Sequence, residues 1–188
     1  HRQFMCSAMA LAQEAGTIIS LDGGAQRYDE EMKSITESSH IAIVARDYAE
    51  KYTGTTNLEE ACRIIHDRGA IIAGVTDGAN GSYFVWPDGT FYRCQAFPQE
   101  YVVDTTGAGD SFHGAFLSKL VTLLRELAPV EGLKTSTYAI DLLQHCGHSD
   151  LEKAAIFASA VAALNTQGIG GRSALPSLQV VHKLMGLE

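Results

Sequence analysis

The sequence is poor in several things, and each shortage excludes something. Charged residues make up only 19% of its 188 residues against 46% hydrophobic, so this is a globular chain and not a solvated, disordered one. Positive charge is scarce: 14 Lys and Arg face 22 Asp and Glu, a formal net charge of −8. That balance argues against nucleic-acid binding and against docking on an anionic membrane. An anionic ligand would have to be held by local N–H groups, not by the overall field. No apolar run approaches the roughly 18 residues of a membrane-spanning helix. The opening HRQFMCSAMALAQEAG carries a polar, acidic interruption and does not read as a secretory signal. The four cysteines, Cys6, Cys62, Cys94 and Cys146, are scattered without a C-x-x-C, which reads as reduced, buried thiols in a cytoplasmic protein. There is no initiating Met and the chain opens inside a helical pattern, so the expectation is a piece of a longer protein that lacks its beginning. Two nucleotide motifs are also missing. There is no G-x-x-x-x-G-K-[ST], and Gly107-x-Gly109 is followed by Phe112 where the third Gly of G-x-G-x-x-G would stand.

What is present alternates helix and strand. Residues 3–15 place Phe4, Met5, Ala8, Leu11, Ala12 and Ala15 near one face and stop at Gly16. A short strand over 17–21 ends at Asp22-Gly23-Gly24, and a helix is expected over 28–38. A strand over 40–44, a short helix over 46–52, a helix opened by the Asn57-x-x-Glu60 capping box and a buried strand over 70–75 follow. Strands over 82–86 and 91–96 read as a hairpin around Pro87-Asp88-Gly89-Thr90. A strong helix is expected over 111–127 and an irregular stretch over 128–147 with a short helix at 138–145. A second capping box, Ser149-x-x-Glu152, opens an alanine-rich helix to Thr166. The Gly-rich loop 168–173 and a last helix to Met185 close the chain. The rhythm is that of one α/β domain, here residues 1–188, with a mainly parallel sheet flanked by helices.

The stretch that organises this pattern is Val102–Phe116, VVDTTGAGDSFHGAF. Small residues at Gly107-Ala108-Gly109 leave backbone N–H groups uncovered. If a helix begins there, its first N–H groups have no intrahelical partner and its dipole end is positive, an anion site without a basic side chain. Asp110 is an acid at the mouth of that site. It does not help to bind phosphate. It makes sense as the group that takes a proton from whatever attacks the phosphate. A plain strand-to-helix turn with a favourable first-turn acid also explains the four residues taken alone.

The longer string resembles the second signature of the pfkB/ribokinase family of sugar kinases nearly residue for residue. The likeness extends over most of the chain: the Gly-containing turn after the third strand, the hairpin, and the alanine-rich helix with its Gly-rich exit. The resemblance implies a ribokinase-like three-layer α/β/α fold, of which the family's N-terminal part and β-lid are not recognisable here. It implies ATP-dependent phosphorylation of a sugar hydroxyl, with Asp110 as the catalytic base and the Gly107, Ala108 and Gly109 amides as the anion hole. It places Thr76, Gly78 and Gly81 in the nucleotide loop and Ala162 and Thr166 beside the adenine. It places Asp104 and Thr106 near a monovalent-cation site, K+, where a capped turn is the competing reading. ATP and Mg2+ follow as cofactors, a small sugar as partner, and a homodimer formed through the lid in the complete protein. His113, one turn after the base, reads as packing that could also sense the site.

Two departures stand out. Many family members carry Asn-x-x-Glu after the second strand here, ordering magnesium and phosphate; this chain has Ala45-Arg46-Asp47-Tyr48. ATP phosphates and water would then supply most magnesium ligands. Asp22 is a spare carboxylate in the same half. Arg172, in GIGGRS, resembles branches acting on anionic sugars and would suit a sulfonate or phosphate. His145-Cys146-Gly147-His148 lacks a second ligand pair and reads as a surface loop. The rival readings are a non-catalytic nucleotide-binding or regulatory domain of the same fold, and a nucleoside or hydroxymethylpyrimidine kinase. An intact Asp110 argues against the first, because a pure binder would gain by losing that acid.

Overall fold

The computed structural model describes residues 2–127 and 138–187. In chain order the elements are α1 (Arg2–Glu14), β1 (Ser20–Gly23), α2 (Met32–Glu37), β2 (Ile41–Ala45), α3 (Arg46–Thr53), α4 (Leu58–Asp67), β3 (Ile72–Thr76), β4 (Ser82–Val85), β5 (Phe91–Cys94), α5 (Ala108–Leu127), α6 (Tyr138–Gln144), α7 (His148–Asn165) and α8 (Leu178–Leu184). The irregular stretch expected over 128–147 lies outside the described residues for 128–137, and its short helix is α6.

The five strands form one sheet in the order β1-β2-β3-β4-β5. β1, β2 and β3 are parallel; β4 opposes β3 and β5 opposes β4, so four of the five strands point the same way. Period-two alternation sends β2 side chains to both faces, as a fully buried strand requires. Ile41 and Ile43, with Ile72, Phe84 and Trp86, pack against α5, α6 and α7. Ala42 and Val44, with Ala73, Val75 and Val85, pack against α2, α3 and α4. The result is the expected three-layer α/β/α arrangement.

The layer under α5 and α7 is the one that matters for the site. Phe84 is fully buried, with its ring stacked 4.7 Å from Trp86 and 5.5 Å from Phe116. Gly74 makes room for it: a Cβ there would lie 2.7 Å from the ring. α7 meets α5 with fully buried Ala154, Ala155 and Ala158, small enough for close helix approach. This packing fixes the start of α5 relative to the end of α7.

Several boundaries differ from the sequence reading for local reasons. β1 starts at Ser20, because the Ile19 carbonyl accepts from the N–H groups of His40 and Ile41 at 2.9 and 3.1 Å. α2 is shorter because Asp29 Oδ1 takes the N–H groups of Glu31 and Met32 at 3.1 and 3.2 Å and delays the helix. Asn57 does cap α4, accepting from Glu59 and Glu60, but the Glu60 carboxylate turns to the Thr55 hydroxyl at 2.7 Å. α7 starts at His148 behind an extended Gly147, without a side-chain cap, so Ser149 and Glu152 form no box. Of the four thiols, Cys62, Cys94 and Cys146 are buried as expected and Cys6 is exposed.

Candidate active site

The site lies where the loop after β5, the first turn of α5 and the loop after α7 meet. Gly107 is the hinge of this junction. Its φ is +76°, which a side chain disfavours, and a Cβ on it would lie 2.5 Å from the Gly171 Cα. Two backbones therefore touch where only a glycine at position 107 allows it. Asp104 ties the same junction. Its Oδ1 accepts the Thr106 N–H at 2.8 Å and its Oδ2 the Gly170 N–H at 2.8 Å. Hydrogen bonding from the Thr106 side chain first, then from the Gly170 and Thr106 N–H groups, holds its carboxyl below the ordinary range. Upstream, the N–H groups of Val103 and Asp104 donate to the Thr166 carbonyl at 2.8 and 3.2 Å, fastening the loop to the end of α7.

α5 begins at Ala108, so the first turn falls on the Gly-rich motif. The Ala108 N–H donates to the Thr105 carbonyl at 3.1 Å. Among the described residues the N–H groups of Gly107, Gly109 and Asp110 have no such acceptor. These amides stand at the positive end of a 20-residue helix.

A cavity of about 580 Å3 opens onto this turn. One end is lined by Thr76, Gly78 and Gly81, the other by Thr105, Ala108 and Gly109, and the wall between them by Ala162 and Thr166. No lining side chain is charged. Sequence reading missed the opposite wall, Phe97-Pro98-Gln99. Its signal was Pro98, which cannot continue the ladder of β5. The turn at residues 78–81 is built on positive φ at Gly78 and Gly81, and Gly81 packs on the Cys94 carbonyl of β5.

Other residues expected at the site lie around this cavity without lining it. Asp110 is exposed on the first turn of α5. Arg172 is exposed in its loop, and Thr106 is exposed beside Asp104. The Ala45–Tyr48 segment turns away: Tyr48 is fully buried in the opposite layer, with its hydroxyl 2.7 Å from the Thr36 Oγ1. Arg46 instead reaches Asp77 beside the turn at residues 78–81 at 3.0 Å, and Asp47 accepts the Gln26 N–H at 2.6 Å. Among the described residues no group of three or more His, Cys, Asp or Glu converges.

Two residues of β1 complete the picture. Ser20 and Asp22 share the face of β1 that meets α5. The Ser20 hydroxyl lies 2.9 Å from His113 Nε2. Burial pushes the His113 imidazole below its ordinary value, against the pull of Asp110. The Asp22 carboxyl lies beside that of Asp110, within reach of a shared proton. Burial first, then the Asp110 charge, pushes Asp22 up to about 6, with Arg27 opposing.

A model described as pfkB family carbohydrate kinase matches residues 2–178. The chain belongs to this family. It is similar to the cytidine kinase of Thermococcus kodakarensis, 40% identical over 89 residues, which are 46% of this chain and 31% of that protein. It is 32% identical over 124 residues to fructokinase-2 of Solanum lycopersicum, covering 61% of this chain and 37% of the relative. Among solved structures it superposes on a Vibrio cholerae fructokinase bound to fructose, ADP and potassium, with a TM-score of 0.73 at 21% identity, over 98% of this chain and 55% of that one. This likeness shows the ribokinase-like fold. The chain thus spans about a third of the length of these two curated relatives and about half of the fructokinase structure.

Proposed function

We propose that this protein, as part of a pfkB-family kinase, transfers the γ-phosphoryl group of ATP to a hydroxyl of a sugar. The observation that carries this reading is the uncharged cavity that runs from the Thr76–Gly81 turn to the unpartnered amides at the start of α5, with an exposed carboxylate, Asp110, beside its end. The apolar walls suit a flat base, with Ala162 small enough to leave it room. The Gly107 and Gly109 N–H groups meet charge on the transferred group without any cationic side chain. Asp110 takes the hydroxyl proton as the hydroxyl oxygen bonds to phosphorus. The bond from that phosphorus to the bridging oxygen breaks, and its electron pair leaves with ADP.

Magnesium accompanies ATP in such transfers and supplies charge neutralisation. The residues present do not form a cage for it: Ala45 has no ligand atom and Tyr48 is buried away. Phosphates and water are its ligands in this reading, and no step depends on a protein ligand. A monovalent cation would sit near Asp104 and Thr106, where two loops already meet through Asp104. Arg172, exposed at the same junction, is the side chain that would meet an anionic group on the acceptor.

The relation to a cytidine kinase favours a second acceptor, a nucleoside hydroxyl. The test is ADP release by the full-length protein with ketoses, ribose and nucleosides, beside calorimetric ATP binding. Asp110→Asn is expected to lower turnover by at least 10²-fold, the scale of a positioned base, while ATP still binds. Retained turnover in Asp110→Asn would sink the assignment of the base. ATP binding without turnover of any acceptor would favour the non-catalytic reading.

A further inference from the structure

One feature of the site is not used by a single-base transfer: the second carboxyl, Asp22, on the strand beside Asp110. The placement follows from two periodicities. β1 presents residues two apart, Ser20 and Asp22, to α5; α5 presents residues three apart, Asp110 and His113, to β1. The two ladders match as two rungs, Ser20 with His113 and Asp22 with Asp110. Asp47, on α3, takes the Gln26 N–H and so ties down the turn that follows β1. The charged and titratable groups facing the Asp22 rung are Asp110 and His113 from α5 and Arg27 from the turn after β1.

We propose that Asp22 is a positioning residue that gates the base: protonated Asp22 donates its O–H to the Asp110 carboxylate and occupies the oxygen that must receive the hydroxyl proton, and ionised Asp22 releases it. This inference rests on the reading of Asp110 as the base. Asp22 is half-buried and Asp110 exposed, so the shared proton resides on Asp22. Two carboxyls in hydrogen-bond contact cannot both stay ionised without cost, and the one less well solvated keeps the proton. The raised Asp22 value, about 6, puts the transition just below neutral pH. Turnover therefore rises with pH through that range and is lost below it.

The first test needs no turnover. Carbon-detected NMR of this chain follows the aspartate carboxyls from pH 3 to 8, with the Asp22 signal identified by its loss in Asp22→Asn. The expected midpoint is about 6, and it falls in Asp110→Asn while staying above the ordinary carboxylate value, because the burial of Asp22 remains. A midpoint of 3.8 in the unsubstituted chain, or one indifferent to Asp110→Asn, overturns the pair. The second test uses the full-length protein. Asp22→Asn carries a permanent N–H donor and mimics the protonated state, so its kcat at pH 7.5 should fall about tenfold and lose its rise with pH. Asp22→Ala has no donor and should keep at pH 5.5 most of its turnover at pH 7.5. Profiles that superimpose on the unsubstituted enzyme, while Asp110→Asn is inactive, overturn the gate alone. An active Asp110→Asn overturns the base and leaves the NMR result for the pair standing.

Discussion

Gly107 and Gly109 stand two residues apart in one motif, yet the structure gives them different jobs, and alanine at each should separate them. Gly107 has φ of +76°, and an L side chain in that region costs about 1–2 kcal/mol. Its new Cβ would also lie 2.5 Å from the Gly171 Cα, while ordinary contact starts at 3.4 Å, so the two loops must part by about 0.9 Å. For a chain of this size 1 kcal/mol moves Tm by about 2–4 °C, so the strain alone predicts a loss of about 2–8 °C. The displacement falls on the amides next to Asp110, where a misplacement of about 1 Å costs on the order of 10²-fold in rate.

Gly109 lacks both penalties. Its Cβ would meet nothing within 4 Å and its φ is not positive. In the first turn of a helix alanine is the better residue by up to about 1 kcal/mol. But Gly109 lines the cavity, and a methyl group there adds bulk beside the proposed phosphate position. Gly109→Ala should keep or slightly raise Tm and weaken nucleotide binding; Gly107→Ala should lower Tm. Thermal unfolding by far-UV circular dichroism and ATP titration calorimetry on the two variants settle it. An unchanged Tm in Gly107→Ala, or a lower one in Gly109→Ala, refutes the assignment of strain to the first glycine and of space to the second.

Two further outcomes are expected. Phe84→Ala empties the seat between Gly74, Trp86 and Phe116 and should cost about 3–5 kcal/mol by urea unfolding, with little change in m. Iodoacetamide at pH 8 should label Cys6 in the native chain within minutes, whereas Cys62, Cys94 and Cys146 react only on unfolding. Burial pushes these three thiols up to about 12, 11 and 11, so the thiolate is scarce; mass spectrometry of quenched samples reads the order.

Most of the fold was legible because β2 and β3 are unbroken, buried runs of small and apolar residues and the turns carry their own chemistry. Asn57 caps α4 and Gly54, at φ +80°, ends α3, both where the sequence places them. The first turn of α5 was legible in the same way, as small residues before a helical run. What could not be read was the register of one element against another. Nothing in Leu21-Asp22-Gly23 says which acid of α5 its carboxyl will meet, because that depends on how far α5 slides along β1. Nor does the sequence say which way Tyr48, standing where Asn-x-x-Glu has its Glu, turns on the short helix expected over 46–52. The aromatic contact with Tyr28, 5.1 Å between centroids, shows why it is core: α3 turns its first buried face into the layer below the sheet. The α7 start was misread because an extended Gly147 serves as N-cap where Ser149-x-x-Glu152 offers a pattern without the matching backbone.

The two acids of the motif show what geometry adds to a string of residues. In Asp104-Thr105-Thr106-Gly107-Ala108-Gly109-Asp110 either carboxylate could be the chemical one, since both flank the same glycines. Asp104 is already committed: each of its oxygens accepts a backbone N–H, one within its own turn and one from the loop after α7. Protonating it would release that loop, so its depressed carboxyl belongs to the integrity of the junction and is needed in the ionised form. Asp110 is exposed and shares only the proton of Asp22. A group can act as a base only if a lone pair is free when the substrate arrives. By that criterion Asp110 is the acid we propose as the base and Asp104 the one that builds its surroundings, and in the proposed gate Asp22 sets the pH above which the lone pair is free.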